Sequence, residues 1–367
     1  MRARYDVVIL GAGPAGLATA ITIRRESQAS VLVADAGAAV RERFGESVAP
    51  DLLIPLKRLG LLDEFRAGPH ALCPGSASIW GNDRVGYNDS ILSPMGSIWR
   101  LQRRAFDEML VKAARDAGAE LCWGARYLRS WSDEGTHRLV LHTPKGKSEV
   151  EGKWVVDATG PAARFALNAG ARRIVGDRMY ALARYAKIRT GSMTMQTLLE
   201  ADEEGWWYGA RLPDDRVLVM VVSEDETLRR LKANNHDEFE RALCATKLIG
   251  PILAKLALER KKYFTTPVYS SRLDLPEGED WLAVGDAAAS YDPIVARGIT
   301  KALDDGIAAG CRIAERNNSS GVYAERIAAC FQTYAETRAR LYEIEHRDGP
   351  FWQRRRERSR DSGQLVG

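Results

Sequence analysis

The run Gly11-Ala12-Gly13-Pro14-Ala15-Gly16 joins an apolar strand, Tyr5 to Leu10, to a helix-patterned stretch from Pro14 to Arg25. Each glycine has a physical reason. Gly11 permits a tight turn, Gly13 lets backbone approach a pyrophosphate, and Gly16 lets the helix pack closely on the strand. A pyrophosphate placed there meets a helix N-terminus, whose free N–H groups and dipole favour anions. Gly11, Gly13, Pro14, Ala15 and Gly16 are therefore the candidate phosphate contacts. The next strand, Ser30 to Ala34, ends at Asp35, a carboxylate positioned to accept hydrogen bonds from an adenosine ribose. Alone, the run is compatible with NAD, with a flavin dinucleotide, or with a glycine-rich turn that binds nothing.

A second element far downstream favours the flavin. The apolar strand Trp281 to Val284 runs into Gly285-Asp286-Ala287-Ala288, followed by Tyr291-Asp292-Pro293, Arg297-Gly298 and a long helix from about Ile299. An NAD-binding unit needs no such element, whereas FAD does. Asp286 can accept hydrogen bonds from ribityl hydroxyls, and the helix near Gly298 can aim N–H groups at the pyrimidine edge of the ring. Negative charge gathers at that edge on reduction. The bare alternative is a strand, turn and helix that only pack. Gly285, Asp286, Gly298 and Ile299 join the cofactor candidates. Pro293 is expected at the ring, and Tyr291, Asp292 and Arg297 are candidates to orient a substrate. None has the paired spacing that names a general base, an absence that an electron-rich indole or phenol tolerates.

Composition narrows the remaining classes. The 367 residues leave room for two lobes with a shared core. Five cysteines without Cys-x-x-Cys spacing, and five histidines in no ligand pattern, predict neither a disulfide framework nor a metal site. The lack of a vicinal cysteine pair also excludes thiol-based disulfide reduction. A net charge of +4 does not argue for nucleic acid. No apolar run reaches membrane-spanning length. Met1 to Arg4 lead straight into the first strand, so no signal peptide is expected and the cytoplasm is the default. Basic residues gather at the end, at Arg347, Arg354-Arg355-Arg356, Arg358 and Arg360, which reads as a solvated tail or as a docking point for an acidic partner.

Changes of periodicity predict an α/β fold. A Rossmann-like FAD-binding lobe spans residues 1–70, 97–170 and 275–345. An inserted substrate lobe spans 71–96 and 171–274, and a basic tail spans 346–367. The insert carries short strands at Ala181–Ile188, Met193–Leu199, Gly205–Arg211 and Val217–Val222, with a hairpin signal at Asp214-Asp215. They predict a mixed or antiparallel sheet whose inner face covers the flavin ring. A helical stretch, about Asp225 to Ala257, follows, and helices near Ile299–Glu315 and Tyr323–Ile344 end the fold. Only one dinucleotide fingerprint is present. Electrons therefore come from transient NAD(P)H docking or from a separate flavin reductase, and the residues do not choose between them.

Four segments carry a resemblance: Gly45-Glu46-Ser47 with Pro50, Leu101-Gln102-Arg103 ahead of Phe106-Asp107, Val155-Val156-Asp157-Ala158-Thr159-Gly160, and Gly285-Asp286. Over residues 5 to 355 the chain resembles the class A flavoprotein monooxygenases and flavin-dependent halogenases. The resemblance implies that Arg103 contacts the FAD ribose or pyrophosphate, for which a planar guanidinium is suited, although surface arginines are common. It implies that the stretch containing Asp157 closes the nucleotide site. Glu46, beside Ser47, meets ribose or a nearby arginine, or else is an acid at a helix N-terminus. The implied reaction is oxygen chemistry, in which reduced flavin and O2 give a C4a-hydroperoxide that hydroxylates an electron-rich aromatic ring.

Halogenases of this group carry a Trp-x-Trp-x-Ile-Pro stretch and an active-site lysine. The nearest counterpart here, Gly205-Trp206-Trp207-Tyr208-Gly209-Ala210-Arg211-Leu212-Pro213, puts Tyr208 and Ala210 where the tryptophans belong, and Cys73 to Gly81 contains no lysine. Both departures point away from halogenation. Trp206-Trp207-Tyr208 reads equally as a packed strand. With Tyr342, Glu345, Arg347, Phe351-Trp352, Arg354-Arg355 and Leu212-Pro213, it is also similar to the flavoproteins that mature cysteine tryptophylquinone enzymes. That narrower similarity implies hydroxylation of a tryptophan side chain in a precursor polypeptide. A small-molecule aromatic hydroxylase, a flavin-dependent reductase resembling geranylgeranyl reductases, and a non-catalytic FAD-binding partner stay open.

Overall fold

The fold is taken from a computed structural model, which describes residues 2–40, 45–89, 96–133, 135–188, 190, 193–253, 256–260, 262–315 and 321–360, with only the backbone at 253 and 358–360. β1 (Arg4–Leu10) lies at the centre of a seven-stranded sheet, parallel to β2 (Val31–Asp35) on one side and to the long strand Gly146–Asp157 on the other. Val7, Val8 and Ile9 are buried in succession. A strand that hides both faces needs cover on both, as parallel strands generally do. Part of that cover comes from α1 (Pro14–Glu26) and the helix Gly298–Ala314. The strand Trp281–Ala283 returns parallel to Gly146–Asp157, so Gly285 and Asp286 emerge at the same sheet edge as Gly11. The strands Arg126–Asp133 and Thr136–Thr143 extend the sheet as an antiparallel meander.

The two long helices run parallel and unusually close. A Cβ on Gly306 would meet the Ala15 carbonyl oxygen at 2.3 Å, and one on Gly310 would meet Thr22 Cβ at 2.5 Å. This register starts the downstream helix about five residues ahead of α1, roughly 7 Å at the helical rise. Their N-termini are therefore staggered along one edge of the sheet.

The second lobe is an eight-stranded sheet, mostly antiparallel, with Thr197–Asp202 and Gly75–Ile79 as its parallel pair. Tyr180–Ile188, Gly205–Arg211 and Arg216–Ser223 form its centre. The strand expected at Met193–Leu199 instead occupies Thr197–Asp202. Between Asp225 and Ala257 the single helical stretch resolves into Asp225–Arg230, His236–Cys244 and Gly250–Leu253, followed by a strand at Leu256–Leu258. Asn235 caps the second helix through its side chain, so the chain restarts there rather than continuing. These helices cover the outer face of the sheet, around Trp207, Phe239 and Leu243.

Residues 350–357 do not form a solvated tail. Pro350–Arg360 is a helix with Phe351, Trp352 and Arg355 buried. Trp352 donates its indole N–H to the Asp202 carbonyl at 2.6 Å, and Arg355 pairs with Glu224 at 2.7 Å. The side chains of Arg358 and Arg360 lie outside the described residues. No helix among the described residues is long and apolar enough to cross a membrane.

Candidate active site

The glycine run adopts the turn its residues predict. Gly11 has φ +114°, and a Cβ there would strike the Ala158 carbonyl oxygen at 2.2 Å. A Cβ on Gly16 would meet the Gly11 carbonyl oxygen at 2.1 Å, so the helix can lie this close to the strand only with glycine. α1 begins after Gly13 with Pro14 at its first position, no side-chain cap and no acid in its first turn. The helix Gly298–Ala314 likewise starts uncapped and acid-free, with open space around Gly298. Two bare helix N-termini on one edge leave unsatisfied N–H groups that suit anionic parts of a ligand.

Asp286 fits the same ligand. Its side chain is open to solvent yet crowded by protein on its other sides, which raises its pKa against the pull of Lys301 and Arg173. It accepts no hydrogen bond from the described residues. Lys301 fixes the turn beneath it, donating to the Gly285 carbonyl at 2.9 Å and to Asp305 at 2.7 Å. These features fit FAD: bare donors for pyrophosphate and pyrimidine edge, and a free carboxylate for hydroxyls.

Asp35 is more occupied than expected. Its oxygens accept the Ala12 N–H at 2.8 Å and the Gly37 N–H at 2.7 Å, which shapes the glycine turn while leaving lone pairs for a ribose. Arg103 lies beside Asp107, with Nε 3.1 Å from its carboxylate, and Nη1 lies 2.8 Å from the Cβ position of Gly45. Glu46 is 4 % exposed, and burial raises its pKa while Arg103 opposes the rise. Ser47 shares a 2.6 Å hydrogen bond with the Tyr208 hydroxyl, which also accepts from Arg100 Nη1 at 2.6 Å.

Two of the candidate carboxylates are taken up by the protein itself. Asp157 is fully buried, and its carboxylate accepts the Thr159 N–H and hydroxyl and the Phe165 and Ala166 N–H groups. It caps the short helix Arg164–Asn168 and shapes the turn beside the glycine run. Asp292 is 1 % exposed and accepts from Arg338 Nε at 2.9 Å, the Tyr342 hydroxyl at 2.9 Å and the Ile294 N–H at 3.0 Å. It pins the loop before Pro293 and is not free to touch a substrate. Tyr291 stacks on Tyr334 with centroids 3.9 Å apart, and exposed Arg297 pairs with Asp51 at 2.7 Å. Pro293 and Ile299 remain at the loop and helix start where a ring is expected.

The residues behind the narrower similarity, apart from Trp207 on the outer face, gather along one seam. Trp206 donates to the Tyr342 hydroxyl at 3.2 Å, Trp207 donates to Asp202 at 2.6 Å, and Glu345 accepts from Gly81 N and pairs with Arg347. The seam joins the C-terminal helices to the second lobe. Trp206 and Trp207 are both fully packed, which favours the packed-strand reading for that pair. Sequence reasoning missed Arg100 and Arg338, whose partners come from distant segments. It also missed an open concavity of about 720 Å³ walled in part by Trp131, Trp154, Phe165 and Trp281, which contains none of the candidate site residues.

Residues 4–342 match the FAD binding domain family, and the chain belongs to it. It is thus an FAD-dependent oxidoreductase of the flavin monooxygenase and halogenase class. It is 25 % identical over 356 residues to the putative FAD-dependent oxidoreductase LodB of Marinomonas mediterranea, covering 96 % of each chain. Among solved structures, it is similar to the peptidyl tryptophan dihydroxylase QhpG, with TM-score 0.79 and 25 % identity over 96 % of this chain and 79 % of that one. The flavin-dependent halogenase CmlS shares the fold, with TM-score 0.84 and 22 % identity over 100 % of this chain and 71 % of that one.

Proposed function

We propose that the protein is an FAD-dependent monooxygenase that hydroxylates an electron-rich aromatic ring, and that this ring is a tryptophan side chain in a partner polypeptide. The observation that carries the reading is the inner face of the second sheet. Ile294, in the loop after Asp292, and Tyr208, Leu199, Phe264 and Val268 all pack, only partly buried, against the cluster on that face. This apolar and aromatic margin adjoins the loop expected at the flavin ring and suits a flat aromatic group. When bound, FAD supplies the activation of dioxygen. The protein's own residues orient the ring and keep the chamber dry. Arg338 and Tyr342 hold the loop at Asp292, and Lys301 holds the turn at Gly285.

Halogenation would need a lysine facing this chamber. Residues 71–96 contain none, and Lys301 is engaged by Gly285 and Asp305. The likeness to the peptidyl tryptophan dihydroxylase QhpG supports a polypeptide substrate over a free aromatic compound. The test is to supply the FAD-loaded protein with NAD(P)H, a flavin reductase, O2 and either a tryptophan-containing polypeptide or free tryptophan, with bromide in both. A mass gain of oxygen on the polypeptide supports the reading. Bromine incorporation in either arm contradicts it, and oxidation confined to free tryptophan leaves a small-molecule hydroxylase.

A further inference from the structure

Arg100 differs from most buried cations of this protein. Arg338 pairs with Asp177 and Asp292, Lys301 with Asp305, Arg312 with Glu277 and Arg355 with Glu224. Arg184, which has no carboxylate partner, lies against the rings of Phe239 and Tyr263. Arg100 is 0 % exposed, and its hydrogen-bond partners among the described residues are all neutral. Nη1 donates to Ser47 Oγ and, at 2.6 Å, to Tyr208 Oη. Nη2 donates to Thr197 Oγ1 at 2.9 Å and the Met195 carbonyl at 3.2 Å, with Cys73 Sγ at 3.6 Å. Nε has no hydrogen-bond partner among the described residues. A buried charge without a paired carboxylate opposes folding, which points to an anion that arrives later.

Its position indicates which anion. Arg100 lies opposite Ser47 in the pairing of Ser47–Val48 with Ile98–Arg100, and Leu101 N donates to the Glu46 carbonyl at 2.6 Å. One residue further, the Cβ position of Gly45 is 3.2 Å from Ile299 Cδ1 at the start of the uncapped helix. The guanidinium thus joins Ser47, two residues from the Gly45 that meets this helix start, to Tyr208 and Thr197 on the second sheet. Glu46, the residue before Ser47, acts on Arg100 through space with no ion pair between them among the described residues, and its burial raises its pKa against the pull of Arg103 and Arg100.

We propose that Arg100 is the resident counter-charge of the reduced flavin: it favours the reduced, negatively charged cofactor over the oxidised one and so raises the reduction potential. Two electrons and one proton from a nicotinamide hydride donor convert the neutral oxidised ring to a form with one negative charge. Arg100 offsets that charge without touching the reacting atoms, adding a full charge to the partial charge of the helix N-terminus. The same guanidinium ties Ser47 to Tyr208 and Thr197 across the two lobes, so a merely structural role must be separated from the electrostatic one.

The inference rests on the flavin seat described above, and the midpoint potential of bound FAD tests it. In the unaltered protein, bound FAD is expected to be easier to reduce than free FAD, and a potential at or below that of free FAD overturns the inference. In FAD-loaded Arg100→Gln, the reduced-to-oxidised ratio at fixed potential is expected to fall by about tenfold, or about 30 mV for a two-electron couple, while Arg100→Lys stays within about threefold of the original. Thr197→Asp keeps Arg100 but gives it a carboxylate, and lowers the ratio in the same direction even if Arg100→Gln does not fold. An unchanged potential in an FAD-loaded Arg100→Gln or Thr197→Asp protein overturns the inference. Failure of the seat itself looks different, because that protein stays colourless in excess FAD.

Discussion

The hydroxyl of Tyr342 donates a 2.9 Å hydrogen bond to the carboxylate of Asp292, fifty residues earlier in the chain. The same hydroxyl accepts the indole N–H of Trp206 at 3.2 Å. One phenol therefore links the C-terminal helices, the loop that precedes Pro293 and the inner face of the second sheet. Removing it leaves a buried carboxylate short of a donor and a buried indole N–H unpaired. Tyr342→Phe is expected to lower unfolding free energy by about 1–3 kcal/mol. Urea denaturation followed by tryptophan fluorescence measures this, and an unchanged midpoint contradicts it.

Asp286 offers a free carboxylate at the turn after Trp281–Ala283. Asp286→Ala is expected to weaken FAD binding by about 1–3 kcal/mol, the range for a hydrogen bond to a charged group. Flavin titration of the apoprotein gives the value directly. Stability without FAD should change little, since the carboxylate holds no other described residue.

His70 predicts a pH dependence. Its Nδ1 accepts the Gln102 N–H at 3.2 Å and its ring stacks on Phe65. Burial pushes its pKa down from 6.5 to about 4. Between those values the unfolded chain binds the proton and the native protein does not, so stability rises with pH. His70's contribution is fully present above pH 6.5 and is lost as the pH falls toward 4. In His70→Asn this portion of the acid slope is expected to vanish, as chemical denaturation at stepped pH would show.

Gly306 lets the two long helices touch. Gly306→Val places carbon where the Ala15 carbonyl oxygen and Ala18 Cβ already lie. The helices must separate, with an expected loss of about 1–3 kcal/mol or more, the usual cost of overpacking. Because this pair sets the stagger of the two N-termini, FAD affinity should fall as well. Retained stability with normal flavin content would contradict the packing account.

The legible parts of the chain were those written in contiguous residues. Gly11 to Gly16 and Trp281 to Asp286 each carry their strand, turn and helix start within a few positions. Gly205–Arg211 was also readable, because the Asp214-Asp215 hairpin signal bounds it. The strand Arg126–Asp133 was not. A register shift in its pairing breaks the inward and outward alternation, so its pattern has no period of two. Asp225 to Ala257 looked like one helix because apolar spacing continues across the Asn235 cap. The role of Asp292 was hidden because Arg338 and Tyr342 reach it from a helix far along the chain. Arg100 was hidden for the same reason, since Ser47, Cys73, Met195, Thr197 and Tyr208 converge on it from separate strands and loops.

The most direct measurement follows an oxygen atom. The FAD-loaded protein, a reductant, a tryptophan-containing partner polypeptide and dioxygen carrying the heavy oxygen isotope are combined, and the polypeptide is digested and weighed. Heavy oxygen on a tryptophan ring, dependent on both FAD and reductant, is the predicted result. A polypeptide that is unmodified, or that gains oxygen only from water, contradicts the account.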